Sequence, residues 1–476
     1  MLPASHVRKS LCLRILALLF ALSGPLLAEE GPSGSPGALS WVSREIYGIA
    51  DQIAGLSLLD LRTPAVPDTC NGRLRSIWEF NEFQGAAAPQ LTHCSLTGAE
   101  FFEECDAANS GRPLDLDQPV DGHSGEFYWL GLDASHGSTC LDTRYAAAIL
   151  ADVNPPQNPF IAHLTTGFNA TTVTEYDELI PDGDGSTYQV FSYVAAYEDK
   201  IAFAGSGSGG RTGIYAANPV GQPVFRVVDN TMTNPGGVQS YGPATSVLWF
   251  ARSDTQGPVP EQLIAWSDGN GIYVSPPDLS QPPTQLVATG DSYAPSRTVR
   301  GGYTQLAFVP PNRIAFKAQS QTFKDGIYSV GLDDPHVLRR HADNETTYGG
   351  GAFGFGPLQN PSGAGDSVFF EAFTPAFVYR GAFVDVDAAD GEVEPLLLRD
   401  DPLDGRTVRT VVVNPRSAVR SDKSVLLIYF TDNSAGDLRD REHSSSTTSS
   451  PAAPADEPDD SRPDRRGCDL PDRAPR

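Results

Sequence analysis

The chain has little positive charge, no long apolar stretch beyond its N-terminus and no familiar catalytic motif. Only 34 Lys and Arg stand against 59 Asp and Glu, which gives a formal net charge of −25. Such a surface repels a phosphate backbone, so we expect no nucleic-acid partner. No later run approaches the roughly 18 apolar residues of a membrane span, so none is expected after signal cleavage. The chain has no H-E-x-x-H or P-loop pattern, and we assign no catalytic or cofactor-binding residue.

The N-terminus has the pattern of an export signal. Arg8, Lys9 and Arg14 precede an apolar run from Ile15 to Ala21, and Ala28 offers a small residue for cleavage. This order is typical of a secretory signal peptide over residues 1–28, with an N-terminal membrane anchor as the alternative. We therefore expect a secreted, periplasmic or cell-surface protein.

The cysteines agree with export. Four lie within one segment, at Cys70, Cys94, Cys105 and Cys140, and Cys468 stands alone near the C-terminus. Four clustered cysteines in an exported chain predict two disulfides, with three connectivities open. The alternative is a zinc site, which the absence of any C-x-x-C pair disfavours.

A three-part pattern recurs through the second half of the chain. A short apolar run precedes a glycine-led aromatic strand, which begins at Gly213, Gly271, Gly326 and Gly381, and a Leu/Val-rich strand follows. The residues after these glycines, Ile214, Ile272, Ile327 and Ala382, are 58, 55 and 55 residues apart. Gly/Pro turns and a weaker strand separate the copies, so each unit holds about four short strands.

This repeat predicts an all-β fold, a β-propeller of about six or seven four-stranded antiparallel blades. A lone blade cannot bury its two apolar faces, whereas blades stacked around an axis can. Two β-sandwich domains are the alternative, but sandwiches do not usually repeat one pattern at near-constant spacing. Trp78–Phe80 and Phe127–Leu130 are candidate strands for additional blades.

The repeat defines the expected segments. We expect a signal peptide (1–28), a linker (29–40), a cysteine-containing segment that forms blades or a cap (41–150), propeller repeats (151–435) and a Ser/Pro/Asp-rich tail (436–476). The tail has almost nothing to bury, so we predict that it is disordered.

The blade pattern resembles that of TolB-like propellers. The stretch from Gly349 to Ala372 is also similar to exported bacterial propeller-like repeat proteins of unknown function. The likeness covers about 280 residues and lacks the Ser-Pro-Asp-Gly turn of TolB-like blades. It implies architecture and no activity, because propellers carry many unrelated functions.

Acidic clusters are the only suggestive polar feature. Asp182 and Asp184 resemble the start of a calcium loop, although Tyr193 stands where an EF-hand needs Glu. Asp385, Asp387 and Asp390 form a second cluster, in which the first two share one face if they lie on one strand. Calcium is the one metal we consider for these five carboxylates, and ordinary hairpin turns are the alternative.

The remaining polar residues are expected to have structural roles. His123 and His136 flank an aromatic strand and are weak metal or acid–base candidates, while His336 and His341 are expected to be solvated. The Gly/Ser run 205–210 lacks the spacing of a nucleophile elbow and predicts a hairpin loop.

We therefore expect an exported, non-enzymatic, monomeric propeller that binds a protein, glycan or surface component. The alternatives are a structural cell-surface repeat protein and a polysaccharide hydrolase or lyase.

Overall fold

The computed structural model describes residues 145–431, apart from gaps at 153–157, 166–168, 236, 238, 253–260, 349–352, 365–366, 386–392, 404 and 414–422. Before residue 145 it describes the backbone of strands, together with Val120 and His123. The only helical segment in these ranges is a 3-10 turn, Ser208–Gly210. No helix in the described part of the chain is long and apolar enough to cross a membrane.

The strands group into seven antiparallel sheets, here called sheets I to VII in chain order. Two N-terminal strands, β1 (Ala17–Leu22) and β2 (Trp41–Glu45), join the last sheet. Sheet I contains β3 (Gln52–Ile53), β4 (Leu56–Leu61), β5 (Ala65–Cys70), β6 (Arg73–Phe83), β7 (Gly98–Glu103) and β8 (Gly111–Asp115). Sheet II contains β9 (Phe127–Ala134), β10 (Tyr145–Asp152), β11 (Pro159–Thr165) and β12 (Asn169–Glu175).

The next three sheets carry the best copies of the repeat. Sheet III contains β13 (Tyr188–Tyr197), β14 (Lys200–Gly207), β15 (Thr212–Ala217) and β16 (Phe225–Asp229). Sheet IV contains β17 (Ser246–Arg252), β18 (Glu261–Ser267), β19 (Gly271–Ser275) and β20 (Thr284–Ala288). Sheet V contains β21 (Ser292–Ala294), β22 (Arg297–Val309), β23 (Arg313–Ser320), β24 (Asp325–Gly331) and β25 (Leu338–Asp343).

A two-stranded hairpin, β26 (Thr347–Tyr348) and β27 (Phe353–Gly354), precedes sheet VI. Sheet VI contains β28 (Leu358–Ala364), β29 (Ser367–Phe373), β30 (Tyr379–Asp385) and β31 (Val393–Leu398). Sheet VII contains β32 (Pro402–Leu403), β33 (Arg406–Val412) and β34 (Lys423–Phe430), followed across the sheet by β1 and β2. The last sheet therefore combines the two ends of the chain.

Sheets II to VI are up-and-down meanders whose four main strands pair in chain order. The first of the four main strands of each sheet contacts the first main strand of the next, from β9 to β13, β17, β22 and β28; in sheet V the short strand β21 precedes these four. Five hydrophobic cores lie between neighbouring sheets, one for each pair from II/III to VI/VII. Each of sheets III to VI is thus buried on both faces, and the predicted all-β propeller is confirmed with seven sheets.

The repeated motif is explained by this packing. On β15, Ile214 packs toward sheet IV while Tyr215 packs back toward sheet II. Ile272 and Tyr273 divide in the same way on β19, as do the equivalent pairs on β24 and β30. Alternation along a strand sends neighbouring side chains to opposite faces, so the motif fills two cores at once. Burying each such side chain contributes about 1.5–3 kcal/mol.

The glycine of the motif is required by close approach of the fourth strand. A Cβ at Gly213 would collide with the carbonyl oxygen of Val228, and one at Gly381 with that of Leu397. The fourth strand also bulges at the same place in each copy, opposite the step from Ile214 to Tyr215 and its equivalents. A bulge adds local twist, which suits sheets that splay around an axis.

The other expectations about strands fall into two groups. Trp78–Phe80 lies in β6, Phe127–Leu130 lies in β9, and the 205–210 run lies in the β14–β15 hairpin, as predicted. Residues 436–476, Cys94, Cys105 and Cys140 lie outside the described residues, while Cys70 ends strand β5. Strand β1 lies inside the segment predicted as a signal peptide and pairs with β34.

Candidate functional site

The first predicted calcium pair faces arginines. Asp182 and Asp184 lie in the connection between sheets II and III, with φ of 55° and 54°. An Oδ2 of Asp182 lies 3.4 Å from Arg226 Nη2, and an Oδ2 of Asp184 lies 3.5 Å from Arg211 Nη1. The two carboxylates are 74% and 93% exposed. Two exposed acids already opposite guanidinium groups form an ion network, and a cation would have to displace those pairs.

The same two arginines hold a buried acid. Asp229 is fully buried, and its Oδ2 lies 2.9 Å from Arg211 Nη2 and 3.0 Å from Arg226 Nη1. Its Oδ1 accepts from the backbone N–H and hydroxyl of Thr231. Burial opposes ionisation of Asp229, but the hydrogen bonds from Thr231, Arg226 and Arg211 outweigh it and lower the pKa of this carboxyl. No cluster of three metal-ligating groups occurs among the described residues.

The second predicted calcium cluster is only partly described. Asp387 and Asp390 lie outside the described residues, whereas Asp385 ends β30 and is fully buried. Its Oδ2 lies 2.6 Å from Nδ1 of His341 on β25. The expectation that His341 is solvated is wrong, because its side chain is only 2% exposed. The sequence alone could not show that the strands of sheets V and VI bring this pair together.

Asp385 and His341 belong to an array with the order of a catalytic triad. His341 Nε2 lies 2.7 Å from Ser329 Oγ on β24. Burial lowers the pKa of His341 despite the opposing effect of Asp385, which favours the neutral imidazole. We assign the proton to Nδ1, which then donates to Asp385, while Nε2 accepts from the Ser329 hydroxyl. Serine, histidine and aspartate in this order are the groups of a hydrolytic nucleophile.

The burial of this array denies it a substrate. Ser329 has no exposed surface, and its Oγ accepts hydrogen bonds from Arg313 Nε and Nη2 at 3.1 and 2.8 Å. Two arginine donors occupy the oxygen that an acyl group would have to approach. The array instead joins sheets V and VI through buried side chains that hydrogen-bond to one another, which is a structural role. Asp385 Oδ1 has no hydrogen-bond partner among the described residues.

A second polar array joins the first strands of sheets V and VI. The Gln305 side-chain amide donates to Asn360 Oδ1 at 2.8 Å, and the Asn360 backbone N–H donates to Gln305 Oε1 at 2.9 Å. Asn360 also donates to Glu371, whose Oε1 accepts from the Val413 N–H of sheet VII at 2.7 Å. Burial raises the pKa of Glu371, although hydrogen bonds from Asn360, Gln359 and Val413 oppose this. Its hydrogen bonds run from Gln305 of sheet V through Asn360 and Glu371 of sheet VI to the Val413 N–H, so this array also links neighbouring sheets.

Three further histidines, His123, His163 and His336, lie against protein groups in the described part of the chain. His136 lies outside the described residues. His123 stacks on Phe160 with ring centroids 3.8 Å apart. His163 is buried, and burial lowers its pKa to about 4, against the smaller effects of Asp199 and the Glu198 backbone. His336 is half exposed, as expected, and its Nδ1 lies 2.7 Å from Asp291.

A different kind of surface lies at one end of sheets V and VI. In an antiparallel meander, the hairpin between strands two and three and the connection from strand four to the next sheet lie at the same end. We call this the top end. In sheets V and VI it carries two exposed phenylalanines, Phe323 (64% exposed) and Phe377 (76% exposed), each at the tip of the strand-two to strand-three hairpin.

The two hairpin tips have the same turn. Phe323 N–H donates to the Ser320 carbonyl and Ser320 N–H to that of Lys324, with the same pattern from Phe377 to Thr374 and from Thr374 to Val378. The hydroxyls of Ser320 and Thr374 each accept from the residue four positions on. Both phenylalanines adopt the left-handed conformation, with φ of 60° and 62°.

This conformation is costly for a bulky side chain. The left-handed region costs an L-residue about 1–2 kcal/mol, and glycine is the usual occupant of such a turn. The equivalent hairpin of sheet III does use glycine, at Gly209 and Gly210, with φ of 74° and 77°. Strained and exposed aromatic residues on two neighbouring hairpins are hard to explain by stability, and such outliers cluster at functional sites.

Arginines accompany these rings. The Arg300 guanidinium lies 3.7 Å from the centroid of Phe323. Arg380 lies 5.4 Å from the centroid of Phe353, which is 51% exposed, and its Nε donates to Tyr348 Oη at 2.5 Å. No carboxylate partner of Arg300 or Arg380 occurs within the described ranges.

An acid on the connection between sheets V and VI pairs with residues near the Phe323 hairpin. Glu345, in the connection from sheet V to sheet VI, forms ion pairs with Arg297 and, at 3.8 Å, with Lys324. It thereby connects the start of β22 to the Phe323 hairpin. We call Phe323, Phe353, Phe377, Arg300 and Arg380 the aromatic–arginine face. The sequence analysis did not predict this face, because phenylalanines in a sequence are usually assigned to the core. A sequence signal for the shared turn was present in the serine or threonine three positions before Phe323 and Phe377.

Comparisons with known proteins give a likeness of fold. No family model and no curated protein matches the chain. A sialidase of Trypanosoma rangeli in complex with sialic acid matches 73% of this chain at 12% identity and a TM-score of 0.36, and the chain spans only 55% of that protein. A TolB from Agrobacterium tumefaciens matches 60% of this chain and 86% of its own length, at 15% identity and a TM-score of 0.31. A fucose-specific lectin from Aleuria aurantia matches 61% of this chain and 85% of its own length, at 11% identity and a TM-score of 0.30.

Proposed function

We propose that this chain is an exported, non-enzymatic β-propeller that binds a macromolecular partner through the top end of sheets V and VI. The observation that carries the proposal is the pair of identical turns that hold Phe323 and Phe377 exposed in the left-handed conformation. Aromatic and arginine side chains are enriched at protein-binding surfaces and supply much of their energy. Export is the expectation from the N-terminal residues and stays a prediction.

The buried Ser329–His341–Asp385 array supports a binding role over the hydrolytic alternative. It has the residues of a nucleophile site but no access for a substrate. A polysaccharide hydrolase would instead need exposed carboxylates at a separation suited to glycosidic cleavage. Two highly exposed acids on a connection, Asp182 and Asp184, face arginines instead.

The test measures binding of the purified labelled chain to the surface of the producing cells. Three forms are compared: the natural chain, the double variant Phe323→Gly and Phe377→Gly, and the control Leu279→Gly. Leu279 is a matched control because it is also exposed (41%) with a positive φ of 55°, but lies in the hairpin at the opposite end of sheet IV. Glycine is compatible with the backbone at all three positions, so folding should be retained.

We expect the double variant to lose about ten-fold or more in affinity, and the control to bind like the natural chain. Equal binding by all three forms would refute the assignment of the top end. Loss in the control as well would show that the effect is not specific to this face. Release of reducing sugar from any polysaccharide by the natural chain would favour the hydrolase alternative.

A further inference from the structure

Two arginines of the aromatic–arginine face have no acid partner within the described ranges, although the chain is strongly acidic. The chain has 59 acidic residues against 34 basic ones. At this end of sheet V most charges are paired: Glu345 with Arg297 and Lys324, Asp325 with Lys317, and Asp343 with Arg340. Arg300 and Arg380 contact aromatic rings and have no carboxylate partner within the described ranges. Two guanidinium groups without a carboxylate partner favour an acidic partner at that place.

Stacking on a ring leaves an arginine able to bind a carboxylate. A guanidinium group presents its face to the aromatic ring, while its N–H groups point outward in the plane. Arg300 lies at stacking distance, 3.7 Å, from the centroid of Phe323. Arg380 lies farther, 5.4 Å, from the centroid of Phe353, and its Nε donates to Tyr348, which leaves its two terminal NH2 groups for a carboxylate. The rings also hold the guanidinium groups in place, so less side-chain entropy is lost when a carboxylate binds.

The polar groups of the hairpins disfavour a sugar. The hydroxyls of Ser320 and Thr374 are used by their own turns. Phenylalanine offers no hydrogen-bonding group, and Phe377 and Val378 present a purely apolar surface, 76% and 48% exposed. Apolar surface beside cationic groups matches a polypeptide that alternates apolar and acidic side chains, because such a segment buries its apolar residues while pairing its carboxylates.

We infer that the partner of this face is a protein segment carrying both carboxylates and apolar side chains, an inference that rests on the proposed function. Arg300 and Arg380 bind the carboxylates, and Phe323, Phe353 and Phe377 contact the apolar residues. The segment lies across the tops of sheets V and VI, which pack against each other.

The experiment selects binders from a displayed library of random 15-residue peptides against the purified full chain. A parallel selection uses the charge-reversed double variant Arg300→Glu and Arg380→Glu. A second control, Lys200→Gln with Arg252→Gln, removes two positive charges from sheets III and IV. Both residues lie at the end of their sheet that is opposite the top end, and both are paired with acids. Enriched peptides are synthesised and their affinities measured at low and high salt.

We expect peptides with net negative charge and several aromatic or aliphatic residues to be enriched on the natural chain and on the second control. The charge-reversed variant should bind them about ten-fold or more weakly, and high salt should weaken binding. Enrichment without acidic bias, equal affinity for the charge-reversed variant, or no enrichment at all would overturn the inference.

A polyuronate probe separates this failure from failure of the proposed function. Saturable binding of an acidic polysaccharide that needs Arg300 and Arg380, with no acidic peptides selected, would overturn the peptide inference but leave a binding face at the top end. Cell-surface binding that is insensitive to Phe323→Gly and Phe377→Gly would refute the proposed function itself.

Discussion

The backbone strain at Phe377 can be measured by comparing two substitutions that both remove the ring. Alanine at this position keeps the left-handed conformation with a Cβ, which costs about 1–2 kcal/mol, whereas glycine adopts it without strain. Glycine in turn loses about 0.5–1 kcal/mol more conformational entropy on folding. We therefore expect Phe377→Gly to be more stable than Phe377→Ala by about 0.5–1 kcal/mol.

An exposed strand position provides the control. Val190 lies on β13, is 52% exposed and has no positive φ. There the order should reverse, with Val190→Ala more stable than Val190→Gly by about 0.5–1 kcal/mol, because only the entropy difference remains. The difference between the two sites is thus about 1–2 kcal/mol, which is large enough to measure.

The assay is urea unfolding, followed by tryptophan fluorescence and by far-ultraviolet circular dichroism, with coincident transitions as the check of two-state behaviour. If Phe377→Ala is as stable as Phe377→Gly, no strain is stored at the turn and the argument that Phe377 is retained for function fails. If Phe377→Gly is the more stable variant at Phe377 while Val190→Ala is the more stable variant at Val190, strain is stored at the turn. Both Phe377 variants should still lose binding to the partner, because both lack the ring. Stability and binding would then be separated at one residue.

Other parts of the molecule allow sharp tests. The pKa of His163 is about 4 in the fold and near 6.5 when unfolded, so the unfolded state binds the proton first as pH falls. The free energy of unfolding should therefore be highest above pH 6.5 and fall by about 3 kcal/mol as pH falls to 4. In urea unfolding at several pH values, His163→Phe should flatten this dependence. Glu371→Gln leaves a buried N–H donor without an acceptor and should destabilise by about 1–3 kcal/mol in urea, while unchanged stability would contradict the array. N-terminal sequencing of the exported chain should begin after Ala28; a retained Ala17–Leu22 would mean that β1 stays in sheet VII. Because Asp182 and Asp184 face arginines, calcium should not raise the melting temperature, and a chelator-sensitive rise would contradict this.

The sequence predicted the sheets because each copy obeys the same packing rule. Ile214 and Tyr215 face opposite cores, and Gly213 leaves room for the neighbouring strand. A blade with the same two cores and the same close approach requires the same three-residue motif. Sheet II escaped the repeat because its third strand has Phe160, Ile161 and Ala162 at these positions. Its core with sheet III is filled largely from the other side, by the aromatic side chains of Tyr188 and Phe203.

The site was not predictable in the same way. Asp385 and His341 are 44 residues apart, and only the stacking of sheet V on sheet VI brings them together. An aspartate at a strand end reads equally as a turn, a calcium ligand or a buried partner. Exposure of Phe323 and Phe377 depends on a backbone angle, and no local propensity assigns phenylalanine to the left-handed region.

The top end is held rigid by buried acids below it, which bears on how it binds. Asp343 ends β25 and accepts hydrogen bonds from the backbone N–H groups of Glu345 and Thr346, and from the Thr346 hydroxyl. Arg340 pairs with its other oxygen at 3.1 Å. Asp229 fixes the corresponding turn of sheet III through Thr231. Because the turn at residues 343–346 that carries Glu345 is already held by these hydrogen bonds, a ligand docking beside it need not supply the entropy of ordering that turn, and more of the contact energy of the phenylalanines remains as affinity.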